Sequence, residues 1–443
     1  MQTEEINIKD STEVLKKEIF RLTKQYHKEK FVEEEFIPGI TTVPVSGKVF
    51  DHEEIEYIVE SALDGWFTTG RFNKVFEKDL AQFIGARKAV TVNSGSSANL
   101  IALASLTSEN LGERALTSGD EIISTPVSFP TTVNPSLLYG LVPVFVDASL
   151  PTYNIDVDKI EEAISPKTKA IMVAHTLGNP FNAEKVLQLA KKYNLWMIED
   201  CCDALGAKFK GRHVGTFGDA ATLSFYPAHH ITMGEGGAIF TNNLPLKKII
   251  ESFRDWGRDC WCDPGNDNTC GKRFEWQLGD LPLGYDHKYI YSHLGYNLKI
   301  TDMQAALGLA QLKKLPEFIK IRNHNFDRIK EGLHDLIDKL ILPDATPDSE
   351  PSWFGFLITV RKDAGITRNE LTAKLNEAKI ATRLLFAGDI RKQPYFKDHK
   401  YRVSGDTKNA EIILNNTFWV GVTPMINDKM IDYMIDVFHK VLR

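Results

Sequence analysis

The chain has 443 residues, 43% hydrophobic and 25% charged, with a formal net charge of −6. That length exceeds one small core and implies a large domain with a smaller companion. The acidic balance excludes the basic footprint of a nucleic-acid binder, and no run of about eighteen apolar residues is present to span a membrane.

In chain order, residues 1–35 read as a charged amphipathic helix, with Leu15, Ile19 and Leu22 at helical spacing. The same stretch lacks the apolar core of a secretory signal, so a cytoplasmic protein is expected. A Pro- and Gly-bearing extended segment completes an N-terminal arm over 1–45. From Asp51 helical and strand patterns alternate. DHEEIEYIVESAL is helical, AVTVNSGSSANLIALASL runs strand–turn–helix, and EIISTPVSFPTTVNPSLLYG repeats that pattern. The apolar runs VPVFVDA, AIMVAHT and LWMIEDC follow, with helical stretches between them, and then the strands ATLSFYP and GAIFTN. Alternation of this kind predicts an α/β fold, a mostly parallel sheet sandwiched by helices, over a large domain of 46–315. Within it, residues 253–296 are rich in Gly, Asp, Trp and Cys, show little periodicity, and are too long for an idle connection. A long helical run from Thr301 leads to WFGFLITV, RNELTAKLNEAK and MIDYMIDVFHKVL, which predict a smaller C-terminal α+β domain over 316–443.

Three segments carry candidate chemistry. Gly95, Ser96 and Ser97 stand where a strand turns into a helix, and free N–H groups at a helix start bind phosphate, with small hydroxyls adding donors. The strand-end pair Glu199–Asp200 sits where α/β proteins bind ligands. A carboxylate there can hydrogen-bond a protonated pyridine nitrogen, which makes such a ring an electron sink. The third segment is ATLSFYPAHHITMGEGGAIF, residues 221–240.

Taken together, GSSA, then IEDxxxA, then SFxxxxxxxxGEGG resemble the sugar aminotransferase family of fold-type I pyridoxal phosphate (PLP) enzymes, from about Val45 to the C-terminus. The resemblance implies the aminotransferase fold and a homodimer. It also implies that Gly95, Ser96 and Ser224 hold the cofactor phosphate, Asp200 the pyridine nitrogen, and Phe129 the ring face. Asn297, in GYNLK, resembles the residue that reaches the phosphate from the other subunit. In the family's SFxxxK pattern a lysine carries the cofactor; here that position is His229. Imidazole makes no stable Schiff base but takes a proton near neutral pH. The resemblance therefore implies pyridoxamine phosphate (PMP) held non-covalently, a ketimine with a keto sugar, and His229 as the base acting at C4′. His230 is one residue out of register for that role. Asp203 and Tyr226 replace the family's usual Gln or His and His, a departure shared with its 3-dehydrase subgroup.

Cys202, Cys260, Cys262 and Cys270 form the pattern C-x57-C-x-C-x7-C. Four thiolates suit a [2Fe–2S] cluster or structural zinc, and their number alone leaves both open. The spacing, with CCDALG, FRDWGRD and GYDHKY, resembles the iron–sulfur sugar 3-dehydrases that act on CDP-linked 6-deoxy-4-hexuloses. That resemblance implies a [2Fe–2S] cluster held by the four cysteines. It also implies C3 deoxygenation of a nucleotide-linked 4-keto-6-deoxyhexose, CDP-4-keto-6-deoxyglucose first, in 3,6-dideoxyhexose and lipopolysaccharide biosynthesis. No G-x-G-x-x-G opens a βα unit, so a separate NAD(P)H-dependent reductase is expected. Cys201, pointing opposite to Cys202 in a strand, reads as a buried structural thiol. Arg254, Arg258, Lys299 and Arg383 could meet the sugar nucleotide's diphosphate, but each reads first as a surface or structural cation.

Overall fold

A computed structural model describes residues 2–32, 34–262 and 264–443, with side chains from residue 11 onward. Met1 and Glu33 of the expected N-terminal helix, and Asp263 of the expected 253–296 loop, lie outside the described residues. The strands in chain order are β1 (Lys88–Val92), β2 (Glu121–Ser124), β3 (Val142–Phe145), β4 (Thr168–Ala174), β5 (Trp196–Asp200), β6 (Lys208–Phe209), β7 (Arg212–His213) and β8 (Ala220–Ser224). They continue as β9 (Gly237–Thr241), β10 (Leu340–Ile341), β11 (Ser349–Glu350), β12 (Gly355–Val360), β13 (Thr382–Arg383), β14 (Arg402–Val403) and β15 (Thr417–Gly421).

The main sheet has eight strands in the order β1-β9-β8-β5-β4-β2-β3-β14. All neighbours run parallel except β9, which is antiparallel to both β1 and β8. Its central strands are apolar on both faces because helices cover both. Along β4, Ile171 and Val173 join one buried cluster while Ala170 and Met172 join another, the alternation that a pleated strand imposes. Helices are started by local chemistry. Ser94 caps the helix Gly95–Ser105, and Thr301 with Gln304 forms a capping box on the helix Asp302–Gly332.

That helix runs from the main sheet to a second, four-stranded sheet in the order β10-β12-β15-β13. Its Phe326 stacks on Trp353 at 3.7 Å between ring centroids, tying the helix to the second core. The C-terminal part also gives β14 back to the edge of the main sheet, beside β3. The N-terminal helix spans Gln2–Lys30 and reaches the helix His52–Leu63 through a Lys16–Glu60 ion pair. No described helix is long and apolar enough to cross a membrane.

Between Asp255 and Thr301 the only described helical piece is one short turn, His287–Tyr289. This stretch is ordered instead by side-chain ties. Arg273 donates two hydrogen bonds to Asp286 (2.7 and 2.8 Å), and Gly257 passes so close to His293 that a Cβ would lie 1.8 Å from its carbonyl oxygen.

Candidate active site

A cavity of about 630 Å³ opens at the C-terminal ends of β5 and β8, walled on its far side by Arg383, Phe386 and Trp419 of the second half. Gly95, the first residue of its helix, is part of the cavity wall. A Cβ there would lie 2.4 Å from Ser224 Cβ and 3.1 Å from Cys202 Sγ. The missing side chain leaves the helix start open, with the Ser96 and Ser224 side chains beside it on the cavity wall, a suitable seat for a phosphate. Asp200, last residue of β5, is 4% exposed. One carboxylate oxygen accepts from Asn99 Nδ2 (2.8 Å) and Thr132 Oγ1 (2.7 Å), and the other from the Cys202 N–H (3.1 Å). Such a set of donors suits an ionised carboxylate fixed in one orientation.

His229 lies on the same wall, in the turn after β8, with its N–H donated to the Tyr226 carbonyl at 2.9 Å. Its Nδ1 is buried 3.2 Å from Asp203 Oδ1, close enough for an ion pair though not aligned as a hydrogen bond. Nε2 is the nitrogen left for the cavity. Phe129 and Tyr226 complete the wall and are half exposed, Phe129 meeting Phe386 edge-on at 6.3 Å. No lysine is among the described residues that line the cavity.

A sequence model of the DegT/DnrJ/EryC1/StrS aminotransferase family matches residues 48–439. The chain belongs to that family. The Salmonella typhimurium lipopolysaccharide biosynthesis protein RfbH is 59% identical over 426 residues, which is 96% of this chain and 98% of that protein. A dTDP-4-dehydro-2,6-dideoxy-D-glucose 3-dehydratase from Saccharopolyspora spinosa is 53% identical over 421 residues, 95% of this chain and 91% of that one. Among solved structures, E. coli GDP-4-keto-6-deoxy-D-mannose-3-dehydratase with bound hydrated PLP matches at a TM-score of 0.81 and 32% identity, covering 91% of this chain and 100% of that chain. This DegT/DnrJ/EryC1/StrS member thus has the fold-type I aminotransferase architecture and is an enzyme of a group of PLP-dependent sugar dehydratases and aminotransferases.

Other expected site residues of this family member lie elsewhere. Ser97 is not on the cavity wall. Its N–H is capped by Ser94 Oγ (3.0 Å) and its hydroxyl donates to Asn93 (2.6 Å), so it serves the helix start rather than the cavity. Asn297 is exposed, accepts from Lys299 Nζ at 3.0 Å, and does not reach the cavity of its own chain. Arg254 is buried against Asp255 (2.9 Å) and the Thr91 carbonyl (3.1 Å), which makes it a structural cation, not a diphosphate contact. Lys299 pairs with Asp255 and lies 3.6 Å over the Trp256 ring, and Arg258 also stacks on Trp256, so of the four candidate cations only Arg383 lines the cavity. His230 donates to the Ser352 carbonyl at 2.9 Å, and burial, reinforced by the Arg322 charge, pushes its proton affinity well below the usual imidazole range. It is a neutral structural histidine.

Cys260, Cys262 and Cys270 share one small depression in the loop, while Cys202 lies on the wall of the cavity with its sulfur beside Gly95. Cys202 starts the turn that follows β5, and its N–H is tied to Asp200, which holds it there. Burial pushes both the Cys201 and Cys202 thiols up. Among the described residues, the one trio of metal-ligating type with its ligand atoms all within 4.8 Å is His175, Glu199 and Cys201. Asn99, Thr132 and Arg322 are parts of this site that the sequence motifs do not mark. Asn99 had a readable cue, standing one helical turn after Gly95.

Proposed function

We propose that the chain is a PMP-dependent 3-dehydratase of a nucleotide-linked 4-keto-6-deoxyhexose, with CDP-4-keto-6-deoxyglucose as the first substrate to test against its dTDP and GDP counterparts. The carrying observation is the imidazole of His229 on a cavity wall without a lysine. The cavity fits the cofactor: a Cβ at Gly95 would fill the phosphate seat, and the Asp200 carboxylate is fixed for a ring nitrogen. Bound PMP would supply an amine to condense with the sugar's keto group and a ring that accepts electrons.

The residues then divide the work. Gly95, Ser96 and Ser224 seat the phosphate, and Asp200 holds a proton on the pyridine nitrogen. His229 Nε2 removes a proton at C4′, with Asp203 steadying the imidazolium that results. Phe129 covers the ring, and Phe354 and Trp419 exclude water from the far wall. Asn297 reaches the phosphate of a partner subunit's site in a homodimer.

The iron–sulfur half of the reading, with its separate NAD(P)H-dependent reductase, is supported by cysteine spacing alone. A second reading is dehydration without a cluster, because the loop thiols and Cys202 border different cavities. Iron and sulfide analysis of anaerobically purified protein, with its visible spectrum, decides between them: about two irons and two sulfides per chain support the cluster, and none supports the second reading.

His229→Asn tests the dehydratase reading. C4′-proton exchange in the presence of the 4-keto sugar nucleotide should be abolished while PMP still binds. Undiminished exchange, or a lysine adduct trapped by borohydride, would overturn it.

A further inference from the structure

Arg322 stands beside the base on the helix Asp302–Gly332 and is 1% exposed. Its Nη1 donates to the Phe354 carbonyl and its Nη2 to the His229 carbonyl, each at 3.3 Å. Nε has no hydrogen-bond partner, and no carboxylate oxygen is within ion-pairing distance among the described residues. Burial pushes the guanidinium down to about 10 against the pull of Asp203, so it remains charged at neutral pH. A buried cation held only by neutral carbonyls is costly, and a hydrocarbon of similar size would serve the fold as well or better.

What the guanidinium joins is specific. The His229 and Phe354 rings lie 5.3 Å apart between centroids, His230 packs on the same Phe354 at 6.1 Å, and the guanidinium carbon is 5.7 Å from that ring. Phe354 leads into β12 of the second half, and His229 ends the turn that leaves β8 of the first. Arg322, His229 and His230 also line one cavity of about 10 Å³, onto which Lys48 and Gln311 open. One side chain thereby bridges the turn that carries the imidazole, the long helix and the wall opposite.

We propose that Arg322 is a positioning residue for His229: it locks the backbone of the base to that of Phe354, fixes where the imidazole stands in the cavity, and sets a buried positive charge beside the Asp203–His229 pair. This rests on His229 being the base, which the His229→Asn experiment decides separately.

The test compares Arg322→Met and Arg322→Lys in the full chain. With PMP bound and the 4-keto sugar nucleotide saturating, the C4′-exchange rate per folded site should fall on the order of 10²-fold in Arg322→Met, the scale of a small misplacement of a reacting group. PMP affinity and KM should be unchanged. Arg322→Lys, which keeps the charge and can donate to one carbonyl, should recover part of the rate. In cofactor-free protein, nuclear Overhauser contacts between the His229 and Phe354 rings should be lost in Arg322→Met. Those contacts report on positioning even if His229 proves not to be the base. An unchanged rate per folded site, persistent ring contacts, or a lysine variant no better than the methionine one would overturn the proposal. If Arg322→Met does not fold, Arg322→Gln takes its place. A glutamine variant slower than the lysine one supports the role, and equal rates overturn it.

Discussion

Gly95 is glycine because a side chain there would collide with the end of β8, with Ser224 Cβ 2.4 Å from where a Cβ would stand. Gly95→Ala should therefore cost about 1–3 kcal/mol of stability, as overpacking does. PMP affinity should fall about tenfold or more, equivalent to about 1.4 kcal/mol. A thermal melt with a PMP titration checks both, and unchanged affinity would show that the phosphate sits elsewhere. The neighbours Glu199 and Asp200 show how one residue of register separates structure from chemistry. Successive strand residues point to opposite faces. Glu199 is fully buried, accepting from the N–H groups of Gly215, Phe217 and Gly218 at 2.7–2.8 Å and meeting His175 Nε2 at 3.2 Å. His175 Nδ1 accepts from the Phe181 N–H (3.2 Å), so Nε2 carries the proton donated to Glu199. The His175–Glu199 pair is thus hydrogen-bonded at both ends, while Asp200 lines the cavity.

At the scale of elements, the C-terminal strand β14 is pinned to the main sheet by one carboxylate. Glu121, at the start of β2, accepts from Arg402 Nε (3.1 Å) and Nη2 (2.7 Å), from Ser165 (2.6 Å) and from Thr168 (3.1 Å). The Arg402 bond, aided by those hydroxyls against the effect of burial, lowers the carboxyl's proton affinity below its ordinary value of 4.5. A carboxyl lowered in the folded state adds stability that is fully present above its unfolded value. That stability is lost as the pH falls from about 4.5 through the lowered folded value. The segment around β14 should accordingly loosen first on acidification, seen as faster amide exchange at 402–407 while β4 and β5 stay protected. Glu121→Gln should remove that acid-dependent step and leave the segment equally loose at pH 7 and pH 4. A step that survives in the variant would place its origin elsewhere.

At the scale of the whole molecule, the cavity of one chain does not contain Asn297, which lies exposed beside Lys299 on the cysteine-bearing segment. If Asn297 completes the phosphate seat of a partner subunit, defects in His229 and Asn297 should complement. Chains carrying His229→Asn and chains carrying Asn297→Ala, each with little C4′-exchange activity alone, should regain activity when mixed dimers form. One site of each mixed dimer then carries both defects and the other carries none. Activity no greater than the sum of the separate variants would confine each site to a single chain.

The alternation of strands and helices, the helix start at Gly95, the strand end at Asp200 and the replacement of the family's lysine by His229 were all legible in the sequence. Each depends on local periodicity, local turn chemistry or a motif that keeps its spacing along the chain. The antiparallel insertion of β9 and the return of β14 to the main sheet were not, since pairing partners are chosen by packing across long stretches of chain. The same limit applied inside the site. Ser96 and Ser97 are equivalent as text, but one step along a helix turns the side chain by about 100°, and only Ser96 lines the cavity. Arg254 and Arg322 both look like ordinary surface cations. Burial against partners distant in sequence makes the first structural and brings the second to His229, where its two acceptors lie 32 and 93 positions away. Cys202 had the spacing of a fourth thiolate ligand, yet spacing along the chain does not fix distance across the fold. The tie of its N–H to Asp200 places Cys202 on the cavity wall, while the other three border a depression of their own loop.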